Sequence, residues 1–172
     1  MNRSILFIFC RYLFLILIAL PHLELMYVLA TPPTLLTVKL LLSLFYGATA
    51  AGTQFNLNGT IIEMVPACIA GAAYYLLLVL NLSIPLQTPQ RAKLLIYTMG
   101  GFFLFNIARI VLFAGLLTSY FTLFDLAHKL VWYGGSTLFV ILLWFFSLKK
   151  LHIKEIPFYT DIKTIRKAIK KN

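Results

Sequence analysis

Residues 94–117 form one apolar run broken by a single charge, Arg109. A helix of about 20 apolar residues matches the hydrocarbon thickness of a bilayer, and this run exceeds that length. Four further apolar stretches accompany it, over about 5–20, 35–51, 67–82 and 126–148. In lipid the backbone must satisfy its own hydrogen bonds, so only helices or closed barrels cross. Alternating barrel strands are absent, and the expectation is an all-α fold: a polytopic membrane helical bundle of about five transmembrane spans. Composition agrees, since 61% of residues are hydrophobic and 12% are charged, which excludes an ordinary soluble domain.

The net charge of +10 does not point to nucleic acid, because it is concentrated after Lys149 rather than spread over a face. It reads as a basic membrane-surface tail. The chain therefore divides into a transmembrane region, 1–148, and a cytoplasmic tail, 149–172. The positive-inside rule puts that tail and the Arg91/Lys93 turn in the cytoplasm. The loops before Cys68 and before His128 then face outward in a multi-pass protein of the plasma membrane. Arg3 and Arg11 fall on the outer side in this count.

The first run has a basic start and an apolar stretch, as a signal peptide does, but Arg11 splits it and no small-residue cleavage site follows. It is read as a retained helix ended by Pro21. Lys39 can snorkel from the start of the second span. Residues 52–65 are a polar interlude with weak alternation, extended or re-entrant. Asn58-Gly59-Thr60 and Asn81-Leu82-Ser83 both fit the short N-glycosylation pattern. Cys10 and Cys68 lie in or beside apolar spans and suggest no disulfide framework.

Pro66 suits a first helical position, where its missing N–H would be unpaired anyway. Cys68 then stands in the first turn, where the helix dipole favours a thiolate. Because consecutive spans alternate in direction, Cys68, Arg109 and His128 share one half of the membrane. Their chemistry suits a thiol enzyme. Cys68 is the candidate nucleophile, and Arg109 stabilises a thiolate or an oxyanion. His128 takes the thiol proton and returns it to a leaving amine. Asp125 lies on the same helix face as His128 and can orient its ring; Asn106 stands likewise to Arg109. The stripe Cys68, Gly71, Ala72, Tyr75 lets a neighbouring helix come close.

Blander readings stand beside these. A lone membrane cysteine is usually packing, as Cys10 is read, and His22 and His152 read as solvated ends. Glu63 reads as a loop residue within reach of Arg109. A mid-span arginine such as Arg109 is costly and calls for an interior partner. Arg109 also lies roughly 12 Å below the end of its span at about 1.5 Å per residue. Either that helix ends early near Gly115 or residues 60–66 re-enter and carry Cys68 down; re-entry is the expectation.

The segments VPACIAG, FNIARI and AHKLVWYGG, in that order on successive spans, resemble the exosortase/archaeosortase family over residues 61–144. The resemblance implies a membrane cysteine transpeptidase with Cys68, Arg109 and His128 as its site. It implies protein substrates that end in a short motif, a hydrophobic helix and a basic cluster, and a lipid or other acceptor. Where the family often has Ser or Thr and then Gly, this chain has Ile69-Ala70. No cofactor, metal or nucleic-acid partner is expected, since His and carboxylates do not cluster at ligand spacing. The competing class is a non-enzymatic transporter subunit or assembly scaffold, with Arg109 as a structural or substrate-binding charge.

Overall fold

The computed structural model describes residues 3–20, 22–119 and 121–153, together with Ile162 and Arg166. Most of the basic tail expected over 149–172 therefore lies outside the described residues. Among the described residues seven helices, a π turn and three short strands follow one another up to Lys150. They are α1 (Arg3–Ala19), α2 (Glu24–Tyr46), β1 (Thr49–Ala51), β2 (Gln54–Leu57) and β3 (Thr60–Glu63). Then come α3 (Pro66–Ile69), α4 (Gly71–Leu82), α5 (Thr88–Ser119), α6 (Phe121–Leu130), the π turn (Val131–Gly135) and α7 (Ser136–Lys150).

The expected all-α bundle of about five spans is corrected on two counts. The polar interlude is an antiparallel sheet in the order β1-β2-β3, so the fold is mixed rather than all-α. Among the described residues two helices, α2 and α5, are long and apolar enough to cross a membrane. The first apolar run forms the 17-residue α1, and two others are interrupted. Ala70 takes the left-handed conformation with φ 59°, so the expected third span becomes a four-residue α3 and a twelve-residue α4. The π turn likewise divides the expected fifth span, leaving α7 with 15 residues. At about 1.5 Å per residue that is short of the roughly 30 Å hydrocarbon layer.

The expected second span starts earlier than its hydropathy suggests. α2 runs straight through Pro32 and Pro33. The two missing N–H groups would have served the carbonyls of Val28 and Leu29, both on exposed residues. At its far end α2 stops at Gly47, whose φ is 61°.

The sheet has a local cause. Asn58 and Gly59 both have positive φ, 51° and 91°, which a two-residue turn of type I′ requires. The Asn56 carboxamide accepts a bond from the Gly59 N–H at 2.9 Å. Phe55 and Leu57 point inward from β2 and are nearly or fully buried. They join Val38 and Leu42 of α2 and Ile107, Ile110 and Ala114 of α5 in one core. A second core, built from Tyr74, Leu77, Leu94, Phe102, Val140 and Trp144, occupies the opposite end.

Helix α5 is the central post, with α2, α4, α6 and α7 all packed on it. It does not end near Gly115 but continues to Ser119. At the end away from the sheet, the Arg91 guanidinium donates to the Ile84 carbonyl at 3.1 Å. There too, the Lys150 ammonium lies 4.6 Å from the Tyr97 ring centre. Asn81 is fully buried and donates to Thr98 at 2.8 Å, so its glycosylation pattern has no exposed acceptor.

Candidate functional site

Pro66 opens α3 at its first turn, as the sequence leads one to expect. The break at Ala70 then creates a demand. The last carbonyls of a helix have no partner within it, and here they face α5 rather than water. Asn106 of α5, fully buried, donates to the Cys68 carbonyl at 2.9 Å and the Ile69 carbonyl at 3.5 Å. One turn on, Arg109 Nη2 donates to the carbonyls of Ala67 at 3.4 Å and Cys68 at 3.2 Å. Two α5 side chains on one helix face thus cap the broken helix.

Arg109 reaches a third element through Nη1, which donates to the Ser136 hydroxyl at 3.1 Å at the start of α7. The mid-span arginine therefore has uncharged partners, two carbonyls and a hydroxyl. Its planar fork serves both sides at once, as a lysine could not. Glu63 is exposed and, among the described residues, forms no ion pair with Arg109.

Cys68, Arg109 and His128 line one cavity of about 320 Å³. Its walls come from β3 and the segment after it (residues 61–65), from α3, from α5 through Ile110, Phe113 and Leu117, and from α6 through Phe124. His128 is held between aromatic rings: it stacks on Phe124 at a centroid distance of 5.3 Å and meets Phe113 edge-on at 5.8 Å. Cys68 is half-buried and Cys10 exposed, both as free thiols.

The two supporting residues do other work than expected. Asp125 is exposed and pairs with Lys129 at 2.7 Å, one turn along α6, so its carboxylate is committed to solvent rather than to the His128 ring. Asn106 donates to the same Cys68 carbonyl that Arg109 holds. The stripe from Cys68 to Tyr75 is also interrupted, because Ala70 turns α4 away from α3. Gly71 packs under the Tyr27 ring, while the Tyr75 hydroxyl donates to the Leu15 carbonyl at 3.0 Å.

Sequence reasoning missed Ser136, Phe113 and Phe124. Ser136 had a signal, being the first polar residue after Gly134-Gly135. The aromatic pair had none, since phenylalanine is abundant throughout the chain. The stretch expected to re-enter, residues 60–66, is β3 followed by the start of α3. The level of Cys68 and Arg109 agrees to within hydrogen-bond reach at the Cys68 main chain. Among the described residues no three His, Cys, Asp or Glu side chains gather as a metal-ligand set. No family model matches the chain, and neither a curated protein nor a solved structure matches it.

Proposed function

We propose that the chain is a membrane-embedded cysteine peptidase or transpeptidase of the exosortase/archaeosortase type. The observation that supports it is the convergence of Cys68, Arg109 and His128, from three separate helices, on one cavity. In this reading the Cys68 thiol gives its proton to His128, and the sulfur attacks a peptide carbonyl carbon. The tetrahedral oxyanion is met by guanidinium N–H groups; Arg109 has five donors, so its bonds to the α3 carbonyls and Ser136 do not exhaust the fork. The C–N bond breaks, His128 protonates the departing amine, and a thioester remains on Cys68. An amine or hydroxyl, on a lipid or another surface component, takes the acyl group; water in that place makes the enzyme a protease.

The substrates in this reading are proteins ending in a hydrophobic helix and a basic cluster. In this reading α2 and α5 cross the membrane, and the chain from α3 through α4 and the turn after it returns between them. Lys149, Lys150, Arg91 and Lys93 face the cytoplasm, and the cavity faces outward.

One observation favours a second reading. Arg109 and Asn106 satisfy carbonyls that the break at Ala70 would otherwise orphan. In a non-enzymatic membrane scaffold, that capping alone would explain why a costly arginine stands mid-helix. The test separates the two. Reporters carrying varied short motifs ahead of a hydrophobic helix and a basic cluster are co-expressed with the protein, and their size is followed. The Cys68→Ala variant should accumulate normally yet leave reporters at full length, while Cys10→Ala processes them. Equal processing by wild type and Cys68→Ala removes the enzyme reading.

A further inference from the structure

We infer that an extended peptide docks along the free edge of β3 as a fourth strand, with its carbonyl end directed at Cys68. This rests on the thiol-peptidase reading and names how its substrate is held.

The sheet order leaves β3 at an edge, with β2 on its inner side. Leu57 faces Thr60 across the two-residue turn, and Phe55 faces Ile62. Pairs flanking such a turn are the ones that exchange both ladder bonds, and bonded pairs alternate along an antiparallel ladder. Thr60 and Ile62 therefore spend their N–H and C=O groups on β2. Ile61 and Glu63 aim theirs at the open edge, and among the described residues no strand pairs there. The same stretch, residues 61–65, lines the cavity that holds Cys68.

Unpaired edge groups are a template for another strand. At membrane depth they are costly unless a wet cavity or a partner covers them. A peptide chain supplies alternating donors and acceptors at the spacing that edge presents, which is the basis of recognition by strand addition. The opposite wall, with Phe113, Leu117 and Phe124, is apolar and takes side chains without demanding particular polar ones. Main-chain pairing on one side and an apolar wall on the other suit a substrate segment bound chiefly by its backbone. β3 runs towards Cys68 in sequence, so a segment whose last carbonyl meets the thiol lies parallel to it. In a parallel pair the partner's bonded residues also alternate.

The test uses the full chain in lipid nanodiscs and a library of acetylated pentapeptidyl chloromethyl ketones. The Cys68 sulfur displaces chloride and forms an S–C bond, which mass spectrometry of Cys68 peptides counts. Chloroacetone and iodoacetamide serve as small controls, with Cys10 as the reference thiol. The fastest peptides should outrun chloroacetone at Cys68. N-methylation at every second residue should slow them about tenfold, the loss of roughly one backbone bond, while methylation at the intervening residues leaves the rate nearly unchanged. On the protein side, Glu63→Pro removes an edge-facing N–H at a position where an edge strand tolerates proline. It should slow the peptides and leave iodoacetamide unaffected. The N-methyl series on wild-type protein stands even if that variant fails to fold.

Uniform tolerance of N-methylation, or peptides no faster than chloroacetone, overturns strand addition and leaves the thiol reading intact. Iodoacetamide reacting with Cys68 no faster than with Cys10 removes the activated thiol itself, and with it the parent reading. An Ile61→Cys variant that forms a disulfide dimer and thereby blocks the peptides assigns the edge to a second copy of the chain instead.

Discussion

Arg109 donates to the carbonyl oxygen of Cys68 at 3.2 Å, so α5 grips the candidate nucleophile by its main chain rather than by its sulfur. The arginine thereby fixes where the thiol sits as well as the field around it. Substitutions at Arg109 can act on both, and a pair of variants separates them.

Arg109→Lys keeps the charge but loses the planar fork that serves the Ala67 and Cys68 carbonyls and Ser136 together. It should insert and accumulate, yet lose most reporter processing. Arg109→Ala should also destabilise the protein, by about 1–3 kcal/mol for buried carbonyls left without donors. Thermal unfolding in detergent, read beside processing, checks both. Normal processing by Arg109→Lys would make Arg109 a charge anchor or a structural cap.

His128→Ala should cut processing by about 10²–10⁴-fold, the usual worth of a positioned proton-transfer group. Asp125→Asn should leave processing close to wild type. Its carboxylate meets Lys129 in the open, and an exposed pair of that kind contributes about 0–1 kcal/mol. A loss at Asp125→Asn as large as that at His128→Ala would restore the carboxylate to the site.

Ala70→Gly should stabilise the fold. Alanine at φ 59° bears a left-handed conformation that costs an L-residue roughly 1–2 kcal/mol, and glycine is free of it. Added backbone entropy in the unfolded chain offsets part of that gain, at about 0.5–1 kcal/mol. A small rise in the unfolding midpoint is expected; a fall would show that the alanine methyl packs for more than its backbone costs.

Gly71→Ala should destabilise, since a methyl there would stand 2.8 Å from the Tyr27 ring. Overpacking of this sort costs about 1–3 kcal/mol. Adding Tyr27→Leu to Gly71→Ala should recover part of the loss, giving a non-additive cycle. Simple additivity in thermal unfolding would mean that the ring slides away at little cost.

What could be read from the sequence was one helix start and which side chains come near one another. Pro66 at a helix start, and the gathering of Cys68, Arg109 and His128, follow from residue type and from the alternation of successive apolar runs. The segmentation was misread where one residue decides it. An alanine in the left-handed region at position 70 leaves no trace in hydropathy, so α3 and α4 looked continuous. Asn58-Gly59 was read as a glycosylation pattern and its hairpin signal was passed over, so the extended stretch around it was not recognised as a sheet. Asp125 was misassigned because helix spacing allows both His128 and Lys129 as neighbours, and an exposed carboxylate takes the ammonium.

The π turn acts as a phase shifter in the last helical stretch. In an uninterrupted α-helix, at roughly 100° per residue, Ser136 would stand about 80° round the axis from His128. The wider turn at Val131–Gly135 absorbs one extra residue and brings both side chains back towards a common azimuth. One element can then present an imidazole to the cavity and, two turns later, a hydroxyl to the arginine behind it. Insertions and deletions in this stretch are accordingly not equivalent to substitutions. Removing a single residue between Leu130 and Ser136 would turn the π turn into plain α-helix, whose seven steps at roughly 100° keep the hydroxyl within about 20° of the His128 azimuth; adding one would instead swing it off Arg109 while every side chain kept its identity.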